Sequence, residues 1–299
     1  MTRSSPLPLR SLLFAPANEP RKTRKLSGSG ADAVVLDLED AVAREQKVAA
    51  RDFARAALRE IAGPLRCVRV NAFDTGLTAD DVAAVVCAEL DVIVLPKTEA
   101  AVDLRRLDTM LTAAEAAANI ARGSVRVIPL VETCAGVIAG AGIARASSRT
   151  LVLAFGSGDL GRDLALPTIR GDLSAALAYG RAKIVYDARA AGLPPPLDGP
   201  FLNVRDQDGM EADCRAAAAL GHGGKVCLHP DQVTVANRVF APAPEEVAFA
   251  RKVIAAFAAA EASGSAAIAV DGVFIDYPIV IKAQSIIDLA ATIAARVTP

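Results

Sequence analysis

Apolar, β-rich runs alternate with Ala-rich helical patterns along almost the whole chain, the rhythm of βα units around a parallel sheet. Strand candidates fall at residues 10–15, 33–38, 65–70, 92–95, 125–130, 150–154, 201–204 and 225–228. Eight strands are the number that closes a barrel. Helical patterns occupy residues 44–61, 78–88, 99–120, 173–191 and 210–220 between them. The seventh strand is placed at 201–204, and Pro194-Pro195-Pro196 and Asp198-Gly199-Pro200 precede it as a loop. Beyond the eighth unit lie a helix at 245–260, a break at Ser263-Gly264-Ser265, a strand-like stretch at 267–275 and a last helix near 281–297. The pattern predicts an α/β fold, a (β/α)8 TIM barrel over 1–240 with a C-terminal helical and lid extension over 241–299.

Where the polar residues fall says more than the strand count. Asn18 follows the first strand, and Asp37, Glu39 and Asp40 close the second. Arg69 and Asn71 close the third, Pro96 and Lys97 follow the fourth, and Glu132 the fifth. Asp159 follows the sixth, Asn203 and Asp206 the seventh, and His229 the eighth. Barrel enzymes place catalysis at the carboxyl ends of their strands, whereas the opposite loops serve stability. This bias marks an enzyme.

Composition narrows the class. The formal net charge is -1, which argues against a nucleic-acid surface. No uninterrupted apolar run approaches the roughly 18 residues of a membrane span, and Met1-Thr2-Arg3-Ser4-Ser5-Pro6 has no apolar signal core. Cys67, Cys87, Cys134, Cys214 and Cys227 follow no metal or disulfide spacing, so a reduced, cytoplasmic protein is expected.

The candidate chemistry centres on Glu132 and Asp159, each a carboxylate after a buried strand. Such a pair suits a hard cation such as Mg²⁺, which takes oxygen ligands and keeps several waters. The alternative is that both only favour the helices that follow, since acids suit helix N-termini. Arg69 sits among apolar neighbours and needs either an anionic ligand or an internal partner among Asp37, Glu39 and Asp40. The turn carrying Arg21, Lys22, Arg24 and Lys25 reads as a phosphate contact or as a solvated helix face. His229 has no second ligand at zinc spacing and is assigned a positioning or anchoring part. Lys97 could form a Schiff base, but the acid pair already supplies a metal route. Neither a P-loop, a Rossmann fingerprint nor a nucleophile elbow is present.

These motifs resemble the citrate lyase β-subunit-like proteins of the HpcH/HpaI aldolase superfamily, relatives of malyl-CoA and citramalyl-CoA lyases. The resemblance rests on Arg10 to Pro16, Gly30-Ala31-Asp32, Leu36 to Val42, Arg69-Val70-Asn71, Leu95-Pro96-Lys97, Pro129 to Thr133, Gly156 to Leu160, Gly224-Lys225 and His229 to Gln232. It implies a Mg²⁺-dependent barrel lyase that makes or breaks a carbon–carbon bond between a short 2-oxo acid and an acyl-CoA. By motif position, Glu132 and Asp159 would hold the metal, Arg69 would grip the oxo acid, and Glu39 and Asp40 would support them. Arg21 and Lys25 would meet the CoA phosphates, with Lys97 and His229 also on the cofactor side. Asp276, otherwise a turn residue before Pro278, would be the general acid/base delivered by a C-terminal lid to a neighbouring subunit. That arrangement implies a homotrimer or a pair of trimers. Thioester hydrolysis, malate-synthase-like chemistry, and a lyase subunit working with an acyl carrier protein are the other readings of the same scaffold.

Overall fold

Eight parallel strands close into one barrel in sequence order. The computed structural model describes residues 8–167 and 173–297; the Met1–Pro6 segment considered above lies outside them. The first half runs β1 (Ser11–Pro16), α1 (Pro20–Thr23), β2 (Ala33–Asp37), α2 (Lys47–Glu60), β3 (Leu65–Arg69), α3 (Thr78–Val85), β4 (Val92–Leu95) and α4 (Ala101–Ala117). The second runs β5 (Arg126–Val131), α5 (Cys134–Ala144), β6 (Ala154–Phe155), α6 (Ser157–Asp163), α7 (Ser174–Ala190), β7 (Leu197–Asp198), α8 (Gln207–Leu220), β8 (Gly224–Cys227) and α9 (Pro230–Val239). Inward-facing Leu12, Val35, Val94, Ile128, Leu197 and Val226 fill the barrel as a packed core.

Seven strands lie within a few residues of their expected places. The seventh does not. β7 is Leu197–Asp198, inside the proline-flanked stretch read as loop, while Leu202 is 56% exposed and residues 201–204 carry no strand. The reason is a buried charge network that outweighs β-propensity. Asp198 receives Arg181 at 2.9 and 2.7 Å and Lys225 at 2.5 Å, and Asp213 meets Arg181 at 3.0 Å and Lys225 at 2.6 Å. Arg181 comes from α7, Asp213 from α8 and Lys225 from β8, so the network bolts two helices to two strands. Burial works against Asp198's charge, yet Lys225 and Arg181 hold its carboxyl below the usual range.

The chain forms two compact units, Leu9–Arg238 and a second built from Val239 onward together with Pro8. The second unit contains α10 (Pro244–Ala262), the antiparallel hairpin β9 (Ile268–Val270) and β10 (Val273–Ile275), and α11 (Tyr277–Val297). Val253, Phe257, Val270, Ile275 and Ala283 form its core. Tyr277 packs edge-on against Phe257 at 5.1 Å. Phe274 and Ile281, by contrast, stand 64% and 68% exposed. Among the described residues α11 is long and apolar enough by composition to cross a bilayer, with 6% of that stretch buried. Lys282 and Asp288 interrupt its apolar run.

Candidate active site

Asp37 and Arg69 end β2 and β3 directly opposite each other in register. Arg69 Nε and Nη2 donate to the two oxygens of Asp37, both at 2.7 Å. The internal partner foreseen for Arg69 is therefore Asp37, and it takes the fork that would otherwise clasp a ligand carboxylate. The same Asp37 oxygens accept the Glu39 and Ala41 N–H groups at 2.9 and 3.1 Å, curling the chain back over the barrel mouth. Glu39 returns toward Arg69 Nη1 at 3.0 Å, and exposed Asp40 stands 3.5 Å from the same nitrogen. The Phe14 ring lies 5.2 Å from the guanidinium carbon, a cation–π contact. Burial opposes the Arg69 charge, but the Asp37 bond and the surrounding acids raise its pKa further.

Glu39 Oε2 is buried and close enough to Arg69 for an ion pair, yet not aligned for a hydrogen bond, so it has no hydrogen-bond partner. Its Oε1 accepts from Lys97 Nζ at 3.0 Å. Burial, with the Asp40 charge adding to it, pushes the Glu39 carboxyl upward against Arg69.

Glu132 stands just past β5, and it is not a helix cap. That part belongs to Thr133, whose hydroxyl accepts the Gly136 N–H at 3.1 Å. Glu132 Oε1 instead accepts the Lys97 backbone N–H at 2.8 Å. Gly156, at the end of β6, makes room for it: a Cβ there would stand 2.6 Å from Glu132 Oε2. Burial first, then the Glu39 and Asp159 charges, pushes Glu132 up to about 8 against the pull of the Lys97 N–H. Asp159 sits in the first turn of α6, partly exposed, and pairs with Arg162 at 2.9 Å.

Five carboxylates, Asp37, Glu39, Asp40, Glu132 and Asp159, thus crowd a strand-end surface where Arg69 and Lys97 face them. Their mutual repulsion and the all-oxygen donor set fit a hard divalent cation. Among the described residues no cluster of three or more His, Cys, Asp or Glu is arranged to hold a metal ion. A two-carboxylate site is nonetheless what Mg²⁺ uses when waters and substrate complete its shell.

The other expected residues lie in different settings. Lys97 and His229, read as cofactor contacts, are employed within the protein: Lys97 binds Glu39 and Glu132, and His229 Nδ1 accepts the Asp231 N–H at 3.2 Å at the start of α9. Arg21 and Lys25 are exposed around α1, and among the described residues neither forms an ion pair. Asp276 belongs to the C-terminal unit, where Oδ1 accepts the Ile279 N–H at 3.4 Å and so caps α11. Asp206 caps α8 through the Gly209 N–H at 2.8 Å. Asn71 donates to Asp81 through both of its nitrogens. Asp37, Phe14 and Gly156 are the site residues that sequence reasoning undervalued. The register between neighbouring strand ends was the available signal for Asp37.

A closed parallel barrel with opposed acids and bases at its strand ends is the frame of a TIM-barrel enzyme. The model of the HpcH/HpaI aldolase/citrate lyase family matches residues 10–230, and the chain belongs to this family of lyases. It is 34% identical to the citrate lyase subunit beta of Leuconostoc mesenteroides subsp. cremoris, over 94% of this chain and 93% of that one. A (3S)-malyl-CoA thioesterase of Cereibacter sphaeroides is 35% identical over 96% of both chains. Among solved structures, protein CitE from Mycobacterium tuberculosis, in complex with magnesium, acetoacetate and coenzyme A, superposes with a TM-score of 0.76. That pair shares 32% identity, over 96% of this chain and 99% of the other.

Proposed function

We propose that the protein is a Mg²⁺-dependent lyase that cleaves or forms a short β-hydroxyacyl-CoA such as malyl-CoA or citramalyl-CoA. The observation that carries this reading is Glu132, buried just past β5 with Oε1 held by the Lys97 N–H at 2.8 Å and facing Glu39 and Asp159, a crowding of carboxylates that a divalent cation relieves. The complex of CitE with magnesium and coenzyme A supports the same assignment. In this reading Glu132 and Asp159 hold the cation. The bound ion supplies Lewis-acid stabilisation of the oxygen that becomes the 2-oxo group.

The chain's own residues do the rest. Asp37 fixes Arg69 through Nε and Nη2, and Nη1, which pairs with Glu39 and Asp40, would turn from them to the oxo acid's carboxylate. Arg21 and Lys25, exposed and without an ion pair among the described residues, would meet the CoA phosphates. Cleavage breaks the carbon–carbon bond as the hydroxyl gives its proton to water, and the acyl-CoA carbon left as an enolate takes up one proton in return, so no net proton is consumed. Asp276 from a neighbouring subunit is the proposed acid, and the exposed apolar residues around α11 are the proposed contact with that neighbour. A homotrimer or hexamer is the proposed assembly.

Hydrolysis is the second reading, favoured by the 35% identity to a malyl-CoA thioesterase. Purified protein incubated with Mg²⁺ and each CoA thioester separates the two. Cleavage yields a 2-oxo acid, trapped as its phenylhydrazone, whereas hydrolysis yields free thiol and none. Activity only on an acyl carrier protein would point to the subunit arrangement of citrate lyase. Turnover unaffected by exhaustive chelation would overturn the metal assignment.

A further inference from the structure

Lys97 has a backbone φ of 46°, in the left-handed region that side-chain-bearing residues rarely adopt. Among the described residues, the other non-glycine residues with positive φ are Asn119, Ala165 and Asp271. The first two follow helix ends and the third lies in the turn between β9 and β10, where such geometry is ordinary. Lys97 alone of the four stands at the carboxyl end of a barrel strand. Its neighbours pin it there. Pro96 has no N–H to continue the ladder, Thr98 Oγ1 donates back to Leu95 O at 3.0 Å, and Thr98 N donates to Leu130 O at 3.2 Å. The turn swings the Lys97 N–H onto Glu132 Oε1 at 2.8 Å, while Nζ reaches Glu39 Oε1 at 3.0 Å.

One residue therefore holds two carboxylates that come from different strand ends, one by its main chain and one by its side chain. Glycine would supply the N–H without strain, but it would lose the second hold. We propose that Lys97 is the positioning residue of the carboxylate set: its left-handed backbone orients Glu132 for the cation, and its ammonium orients Glu39 beside Arg69. Holding Oε1 of Glu132 from one side presents Oε2 to the ion, with Gly156 keeping that side clear. Strained backbone kept at a functional site is a recognised way of preorganising it. The inference rests on the divalent-cation reading above.

The test compares substitutions that separate backbone from charge. Lys97→Met and Lys97→Val both remove the ammonium, but the β-branched valine resists the left-handed conformation more than methionine or lysine does. Mn²⁺ binding, followed by electron paramagnetic resonance on the protein without substrate, should weaken by about tenfold or more in Lys97→Val relative to Lys97→Met. Equal affinities would overturn the backbone half. At saturating Mg²⁺, Lys97→Arg should recover part of the kcat lost in Lys97→Met, and equal kcat values would overturn the side-chain half. If Lys97→Val does not fold, hydrogen exchange at the residue 97 amide takes its place. Exchange should speed up in Glu132→Ala, and an unchanged rate would refute the bond to Glu132. Wild-type protein that binds no Mn²⁺ would instead remove the divalent-cation reading itself, an outcome distinct from all of these.

Discussion

Gly156 shows how much of the site depends on space. Its φ of -111° is open to any residue, so only the approach of Glu132 requires a glycine. Gly156→Ala should overpack this contact, cost about 1–3 kcal/mol, and displace the carboxylate. Thermal melts and Mn²⁺ affinity measured together check this, and an unchanged affinity would show that Glu132 tolerates the methyl group. Asp37 makes the opposite point. Asp37→Ala would leave Arg69 buried with only its looser acidic neighbours, at a cost of about 3–5 kcal/mol. Arg69→Lys should nearly abolish turnover as well, because an ammonium cannot reproduce the two parallel bonds to Asp37. Near-wild-type kinetics would return Arg69 to a purely charge-based part. That Glu132, Asp159 and Arg69 stand at strand ends was legible in the sequence, because charged groups interrupt apolar runs there. The φ of Lys97 was not, since nothing in Leu95-Pro96-Lys97-Thr98 marks a left-handed lysine.

Between the elements, the alternation of runs placed most strands well because β-branched, buried segments announce themselves. β7 escaped because two residues between prolines carry no such pattern. Its place is set by Asp198 and the charges on α7, α8 and β8, which lie at least 15 residues away in the chain. This origin predicts a pH dependence. Asp198 has its folded pKa below the ordinary 3.8, so its stabilisation is present above that value and is lost as pH falls through the lower, folded one. Asp198→Asn should therefore cost about 3 kcal/mol near neutral pH, where Lys225 and Arg181 keep only Asp213. The gap to wild type should narrow as the pH drops below 3.8. Urea melts across that range measure it, and a gap constant with pH would refute the ionic account.

At the scale of the molecule, the exposed apolar residues around α11 and the proposed trimer make one prediction together. Ile281→Asp should lower the mass seen by light scattering while leaving the barrel's thermal transition in place. An unchanged mass would place the subunit contact elsewhere. Mixing Asp276→Ala with Arg69→Ala should restore part of the activity if the site is shared, provided that subunit exchange is confirmed by mass. Exchange without recovery would leave Asp276 as the cap of α11 and nothing more. The barrel also carries its own timekeeper. Lys225 has a fully buried ammonium on β8, with both of its acidic partners in place. An amine-acylating reagent in water would mark exposed lysines such as Lys22 and Lys252 within moments, but it could reach Lys225 only when the wall between α7 and α8 parts. The slow appearance of that one modified peptide in a mass spectrum would then count openings of the barrel, molecule by molecule, under native conditions.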